Sequence, residues 1–189
     1  IDNAAFFYTY LECITIPKNA VDLKKGWCRR MKTPKFKISP ENKNYLNYKD
    51  MFILGKTDQN SDIFDILLYA RYDIEIAIIP SFIKIIGISA FEHCDKLTRV
   101  DIPNDSCLQK IEKFAFTSTK IKQIFIPSHV KKIGSSVFSA CKLLSRIEFA
   151  DDSELQTIGN SVFNGCNLDY FAIPNNVVKL KPEWSLGMT

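Results

Sequence analysis

The sequence predicts an α/β repeat solenoid, because two patterns recur along the chain at a nearly constant spacing. The first is an alternation of apolar residues that closes with an aliphatic residue and a proline, and its clearest copies end at Ile16-Pro17, Ile79-Pro80, Ile102-Pro103, Ile126-Pro127 and Ile173-Pro174. The second is a phenylalanine between these copies, at Phe91, Phe116, Phe138 and Phe163. Degenerate copies end at Ile38-Ser39 and Phe149-Ala150, and with these included, copies lie 22 to 24 residues apart except at one interruption. This period is typical of a unit that buries its apolar face only against similar neighbours.

The residues before each proline predict one short β-strand per coil. Between Leu97 and Ile102, apolar and polar side chains alternate, which indicates a strand with one covered face. Because every coil runs in the same direction, these strands are expected to pair as a parallel sheet along the stack. Pro103 cannot donate a backbone hydrogen bond to the sheet, so it ends the strand.

The stretch from Gly87 to Cys94 predicts a short helical or irregular turn on the side opposite the sheet. Its apolar residues, among them Phe91 and Cys94, are spaced near the helical period. Because this phenylalanine recurs in four coils, the four rings are expected to stack inside the solenoid. Cys94, Cys141 and Cys166 share a neighbouring column and are interpreted as packed thiols, with a disulfide between Cys141 and Cys166 as the alternative.

One interruption of the period predicts an insertion at residues 40–73. Two apolar runs, 51–54 and 63–69, flank a polar segment rich in turn-forming residues. This pattern predicts a β-hairpin that rises from the wall of the solenoid, and a specialised binding finger is the alternative. Residues 1–189 are otherwise interpreted as a single solenoid that is cut within a repeat at both ends.

The repeat motifs resemble those of a known family. Leu97-x-x-Val100-x-Ile102-Pro103, together with Ile86-Gly87-x-x-Ala90-Phe91-x-x-Cys94, is similar to the BspA-like, or Treponema-type, leucine-rich repeat of bacterial and protozoan surface proteins. The stretch 47–80 resembles in particular the BspA-like surface-antigen family of trichomonads. The resemblance implies a leucine-rich repeat fold and a non-catalytic adhesion module, at the cell surface or outside the cell, that binds host proteins, extracellular matrix or other cells. An intracellular leucine-rich repeat scaffold or regulatory protein-binding segment in the cytoplasm is the alternative.

Composition and charge argue against two functional classes. A net charge of +4 is too small for the concentrated basic face of a dedicated nucleic-acid binder. No apolar run is long enough to cross a membrane. No signal peptide is visible at the start of the chain, so any export signal is expected to lie outside this stretch.

No catalytic, cofactor or metal-binding motif is visible in the sequence. The two histidines, His93 and His129, are interpreted as surface residues, and no nucleophile elbow, phosphate-binding loop or zinc-ligand spacing occurs. Asp151, Asp152 and Glu154 cluster in one loop, which is interpreted as a solvated turn with a weak cation site as the alternative. The sequence therefore predicts neither an enzyme nor a cofactor.

The outward positions of the predicted strands form a candidate protein-binding face. Its predicted members are Arg99, Asp101, Gln123, Phe125, Arg146, Glu148 and Tyr170, preceded by Glu75 and Ile78 in the coil before. Phe125 and Tyr170 are aromatic residues among charged neighbours, which resembles the composition of protein-binding hot spots. An ordinary sheet surface is the alternative.

Two further surface features are candidates for contact or modification. Four lysines after the prolines occupy nearly equivalent places and are interpreted either as a column that contacts acidic glycans or as a solvated rim. They are Lys84, Lys110, Lys131 and Lys132. Asn104-Asp105-Ser106 is a glycosylation sequon in a loop after a strand, so Asn104 is a candidate glycosylation site if the chain is exported.

Overall fold

The computed structural model describes residues 1–2, 5–24, 26–32 and 35–185, which form a solenoid of short β-strands. The strands are β1 (Ile14–Ile16), β2 (Phe36–Ile38), β3 (Leu46–Tyr48), β4 (Phe52–Gly55), β5 (Ile66–Ala70), β6 (Ile76–Ile78), β7 (Ile85–Ile86), β8 (Arg99–Asp101), β9 (Lys110–Ile111), β10 (Gln123–Ile126), β11 (Lys132–Ile133), β12 (Arg146–Phe149), β13 (Thr157–Ile158) and β14 (Lys179–Leu180). Among the described residues, antiparallel pairing joins only β3 to β4 and β4 to β5.

Later coils contribute two short strands each, rather than the one that the sequence predicts. One strand of each coil lies at the end of the repeat, where a proline usually follows, and these strands pair in parallel, β1 with β2, β6 with β8 and β10 with β12. We call them the proline wall, although Ser39 follows β2 and Ala150 follows β12. The second strand of each coil joins the three strands of the insertion in the larger sheet, with the order β14-β13-β11-β9-β7-β5-β4-β3. Each two-residue strand in its middle buries an isoleucine, as Ile133 shows beside exposed Lys132. The predicted parallel pairing of strands is confirmed, but the prediction of a single strand in each coil is wrong.

The phenylalanine column lies in tight turns rather than in helical ones. The described residues contain no helix. Ser89 and His93 have positive φ angles of 58° and 60°, which interrupt a right-handed helix. The backbone donors bond to the next coil instead, since Phe91 N donates to Ala115 O at 2.8 Å and His93 N donates to Thr117 O at 2.9 Å. The prediction of helical turns is therefore wrong, and the fold is a β-solenoid rather than an α/β one.

The stacked phenylalanine rings form the spine of the core, as predicted. Phe91, Phe116, Phe138 and Phe163 are fully buried. The centroids of successive rings lie 4.9, 5.7 and 5.9 Å apart, and each pair of rings lies within 19° of parallel. Aromatic pairs add about 0.5–1.5 kcal/mol each beyond the free energy of burial. The spine therefore stabilises the stack of coils along its length.

The cysteine column is buried beside the spine. Cys141 and Cys166 donate hydrogen bonds to the backbone carbonyls of Phe116 and Phe138 in the preceding coil, each with an Sγ–O distance of 3.0 Å. Burial raises the pKa of both thiols, to about 12 for Cys166, because the thiolate would lose its hydration. The prediction of packed thiols is confirmed, and Cys141 and Cys166 are not bridged.

The insertion forms an internal layer of the stack. Its strands β3, β4 and β5 pair in antiparallel order, and β5 then pairs in parallel with β7. Phe52 and Leu54 pack into the core that contains the phenylalanine spine, whereas Ile53 packs into a second core that is shared with the first coils. All three side chains are fully buried. The insertion therefore contains antiparallel strands but does not rise from the wall, because β4 lies between the two cores. Outside these cores, Arg29, Arg30 and Lys32 of the first coils, the described residues of 1–38, form ion pairs with Glu92 and Asp95 of a later coil.

Candidate functional site

The outward positions of the proline wall form columns along the stack. In register, the pairs are Ile76 with Arg99, Ile78 with Asp101, Gln123 with Arg146, Phe125 with Glu148 and Arg146 with Tyr170. Within each of these pairs, an outward residue therefore lies beside its counterpart in the next coil. The assignment of Glu75 to the first column is wrong, because the register places Ile76 there.

Two adjoining grooves run across these columns. The first has a volume of about 620 Å³ and is lined by residues that include Arg99, Asp101, Asn104, Gln123, Phe125, Arg146 and Glu148. The second has a volume of about 1020 Å³ and includes Tyr170. Gln123, Arg146 and Glu148 line both grooves. The structure thus brings all seven sequence-predicted residues to one surface, which we call the proline-wall face.

The charges on the proline-wall face neutralise each other within their own strands. Arg99 Nε lies 2.7 Å from Asp101 Oδ1, and Arg146 pairs with Glu148 in the same way. The hydrogen bond to Asp101 raises the pKa of the Arg99 guanidinium. Exposed ion pairs contribute only about 0–1 kcal/mol to stability, and these pairs leave little net charge to attract a distant partner.

Exposed apolar side chains extend along the same face. Tyr170 is 74% exposed, and Ile76 and Ile78 are 50% and 62% exposed. Phe125 is partly buried and presents only part of its ring. The sequence analysis missed Ile76 because residues 76–79 are all apolar, which hides the alternation between inward and outward positions.

The predicted lysine column divides into two sets. Lys110 and Lys132 lie in register on the large sheet, whereas Lys84 and Lys131 each precede such a position by one residue. Three of the four lysines form ion pairs, namely Lys84 with Asp65, Lys110 with Glu112 and Lys131 with Glu154, at N–O distances of 3.0, 2.5 and 3.3 Å. The four lysines therefore do not form one continuous column, and neighbouring carboxylates offset the charge of three of them.

Other titratable groups are engaged in local structure. His129 lies on the surface, as predicted, with its Nδ1 2.9 Å from Glu154 Oε1. His93 is partly buried rather than a surface residue, and this burial lowers its pKa. Within the described ranges, no group of three or more histidine, cysteine, aspartate or glutamate side chains is placed to hold a metal ion. Over the same residues, no helix has the length and hydropathy to cross a bilayer.

Comparison with known proteins places these features in a repeat family. Residues 63–184 match the profile of the BspA type leucine rich repeat region in six copies. The fold resembles that of a leucine-rich repeat protein from Eubacterium ventriosum, with a TM-score of 0.67 and 18% sequence identity, and the match covers 94% of this chain and 59% of that one. It also resembles the pneumococcal vaccine antigen PcpA, with a TM-score of 0.58 and 18% identity, over 93% of this chain and 52% of that one. The chain thus spans just over half the length of both structures. No curated protein sequence matches it.

Proposed function

The chain belongs to the BspA-type leucine-rich repeat family, and we propose that it is a non-catalytic protein-interaction module of a cell-surface protein. In this proposal the proline-wall face binds host proteins, extracellular matrix or other cells. The observation that carries the proposal is the pair of adjoining grooves, which share Gln123, Arg146 and Glu148 and extend over successive coils. A partner that follows the long axis of the solenoid would contact all of these coils at once.

The energetic centre of the proposed contact is aromatic. Tyrosine and arginine are enriched among the residues that dominate protein–protein binding, because they bury a large area with few rotatable bonds or form several hydrogen bonds. Tyr170 exposes most of its side chain and lies in register with Arg146, and Arg99 lines the adjoining groove. The in-strand ion pairs would orient the partner, while burial of Tyr170 and Phe125 supplies most of the affinity.

An acidic glycan is a less suitable ligand than a protein. Asp65, Glu112 and Glu154 neutralise Lys84, Lys110 and Lys131, so a sulfated or carboxylated glycan would have to displace these carboxylates. A surface location is part of the proposal, and it is supported by the family and by the shared fold of a pneumococcal vaccine antigen.

Replacing Phe125 and Tyr170 together with serine is expected to weaken binding to a matrix partner at least about tenfold, because two aromatic contacts are lost. The measurement is biolayer interferometry on immobilised fibronectin, laminin and collagen, with the parent chain expected to bind at least one of the three. Circular dichroism of the variant checks that the fold is retained.

Tyr10→Ser is the matched control, since Tyr10 is also 74% exposed but lies on the first coil, outside both grooves. Its binding is expected to equal that of the parent. If the double variant binds as tightly as the parent with its fold intact, the proline-wall face is not the binding site. If the parent binds none of the three proteins, the matrix-binding part of the proposal is wrong.

Export of the chain is expected to leave a glycan on Asn104. Asn104 is exposed in a turn and lines the edge of the first groove, so a transferase can reach it. The measurement is the mass of the chain from its natural source before and after treatment with peptide-N-glycosidase, with Asn104→Gln as the control. An unmodified mass for the natural protein would mean that Asn104 is not glycosylated.

A further inference from the structure

The proline wall is interrupted between β2 and β6, because the insertion adds strands only to the large sheet. In that sheet β3 pairs with β4 and β4 with β5, and none of the three pairs with β2 or β6. Neighbouring strands of a sheet lie about 4.8 Å apart. No Cα atom of β2 lies within 8 Å of a Cα atom of β6, although both strands are fully described. The two strands are therefore not neighbours, and we call the interval between them the wall break.

Hydrogen bonding to β1 leaves the other edge of β2 open towards the wall break. Ser39 N donates to Ile16 O at 3.0 Å, so the register of this parallel pair makes Lys37 the residue within β2 that bonds to β1. Alternate residues of a parallel strand bond to opposite sides. The backbone N–H and C=O groups of Phe36 and Ile38 therefore point away from β1, towards the wall break.

A pocket of about 570 Å³ lies along this open edge. It is lined by β2 and by polar residues of the insertion, namely Phe36, Lys37, Ile38, Asn47, Asp50 and Arg71. Asn47 Nδ2 donates to Phe36 O at 3.3 Å, whereas the N–H and C=O groups of Ile38 have no partner among the described residues. Unused strand hydrogen bonds therefore border an unfilled space, and this space shares no lining residue with the grooves of the proline-wall face.

The charge on β2 favours one class of occupant. Lys37 points outward at the centre of the strand, is exposed and forms no ion pair with another described residue. A second copy of the chain is disfavoured, because pairing of two β2 edges would bring like charges together. An acidic side chain on an added strand would instead pair with Lys37 across the two strands.

We propose that an extended acidic segment of a partner protein binds in the wall break as an added strand. The segment runs parallel to β2, like the other strand pairs of the wall, accepts a hydrogen bond from Ile38 N–H and donates one to Ile38 C=O. Addition of a strand to an open edge is a common mode of peptide recognition. The site is separate from the grooves of the proline-wall face, so either proposal can fail without the other.

The probe is the acetylated and amidated heptapeptide Thr-Val-Thr-Glu-Thr-Val-Thr, whose valine and glutamate side chains share one face of an extended strand. Titration into the ¹⁵N-labelled chain is expected to shift the backbone amide resonance of Ile38 saturably, with a dissociation constant of about 1 mM or lower. A resonance that does not move at that peptide concentration overturns the proposal.

Ile38→Pro is expected to weaken binding of the heptapeptide at least about tenfold, as measured by calorimetry. It removes the N–H that faces the wall break and spares the hydrogen bonds to β1, and proline is tolerated on such an edge. Ile38→Ala is the matched control, because it also shortens the side chain but keeps the N–H, and its binding should stay within about twofold of the parent. Equal loss in both variants would overturn the pairing with the backbone of β2.

Methylated peptides decide the same point if Ile38→Pro loses its fold. In the wall, the outward residues of a strand bond to the preceding coil, as Asp101 O does in accepting from Ile79 N at 2.9 Å. N-methylation of the valine and glutamate residues is therefore expected to abolish binding, whereas N-methylation of the threonine residues should preserve it. Equal effects of the two modifications would overturn the proposed strand pairing.

Three further measurements test the class of partner. Lys37→Glu is expected to weaken binding at least about threefold, and Lys122→Glu, at an exposed lysine outside the pocket, should leave it unchanged. Tighter binding of a peptide with lysine in place of glutamate would overturn the acidic class. Self-association in analytical ultracentrifugation that Ile38→Pro abolishes and Ile38→Ala retains would make a second copy the occupant and overturn the partner segment.

Discussion

Phe138→Ala is expected to lower the free energy of unfolding by about 3–5 kcal/mol, because a fully buried phenyl ring is lost and a cavity remains. The ring lies between those of Phe116 and Phe163, at centroid distances of 5.7 and 5.9 Å, so two stacking contacts disappear with it. Urea unfolding followed by far-ultraviolet circular dichroism measures the change as a lower midpoint.

Phe7→Ala is the matched control for this prediction. It removes the same side chain from a site that is 45% exposed, where surface substitutions usually change stability by less than about 1 kcal/mol. A loss below about 1 kcal/mol for Phe138→Ala would mean that the spine does not support the stack.

The inward-facing columns of the solenoid could be predicted from the sequence because each coil buries apolar side chains at equivalent positions. Phe116 and Phe138 recur in one column and stack in the structure, and Cys141 and Cys166 recur beside them and are buried. The prediction succeeds here because a side chain that packs against its own counterpart one coil away leaves a periodic trace in the sequence.

The backbone of the turns could not be predicted in the same way. Apolar residues three or four apart are compatible with a helix, but they also arise when two tight turns follow each other. The positive φ angles of Ser89 and His93 distinguish the tight turns from a helix. Glycine often predicts a positive φ angle, but serine and histidine do not, so nothing in the sequence indicates this conformation. The two-residue strand Lys110–Ile111 is likewise too short to show an alternation.

The outward face was predictable only where the strands alternate. In β10, polar Gln123 is exposed and apolar Ile124 is buried, so the alternation in the sequence identifies the outward side of this strand. In β6 the residues Ile76, Ala77 and Ile78 are all apolar, and the outward side cannot be identified without the pairing to β8.

The position of the insertion was also predicted incorrectly, although the apolar run of β4 indicates where it lies. Phe52, Ile53 and Leu54 are apolar without a break, and an uninterrupted apolar strand is typical of one that is covered on both faces. A hairpin that rises into solvent would need polar residues on at least one face. The absence of alternation in β4 therefore indicates an internal layer.

Ile53→Asp is expected to unfold the first coils selectively. Ile53 is fully buried in the core shared with those coils, so an aspartate there would place a carboxylate among apolar side chains at a cost of several kcal/mol, roughly 4 or more. Because a solenoid layer contacts mainly its neighbours, hydrogen exchange should show loss of amide protection in the described residues of 1–38, while residues 97–170 stay protected.

Ile63→Asp is the matched control, because it lies in the same insertion at a site that is 55% exposed, and it should leave both regions protected. Equal loss of protection along the whole chain in Ile53→Asp would mean that the two cores unfold as one unit, coupled by β4 and by the ion pairs of Arg29, Arg30 and Lys32 with Glu92 and Asp95.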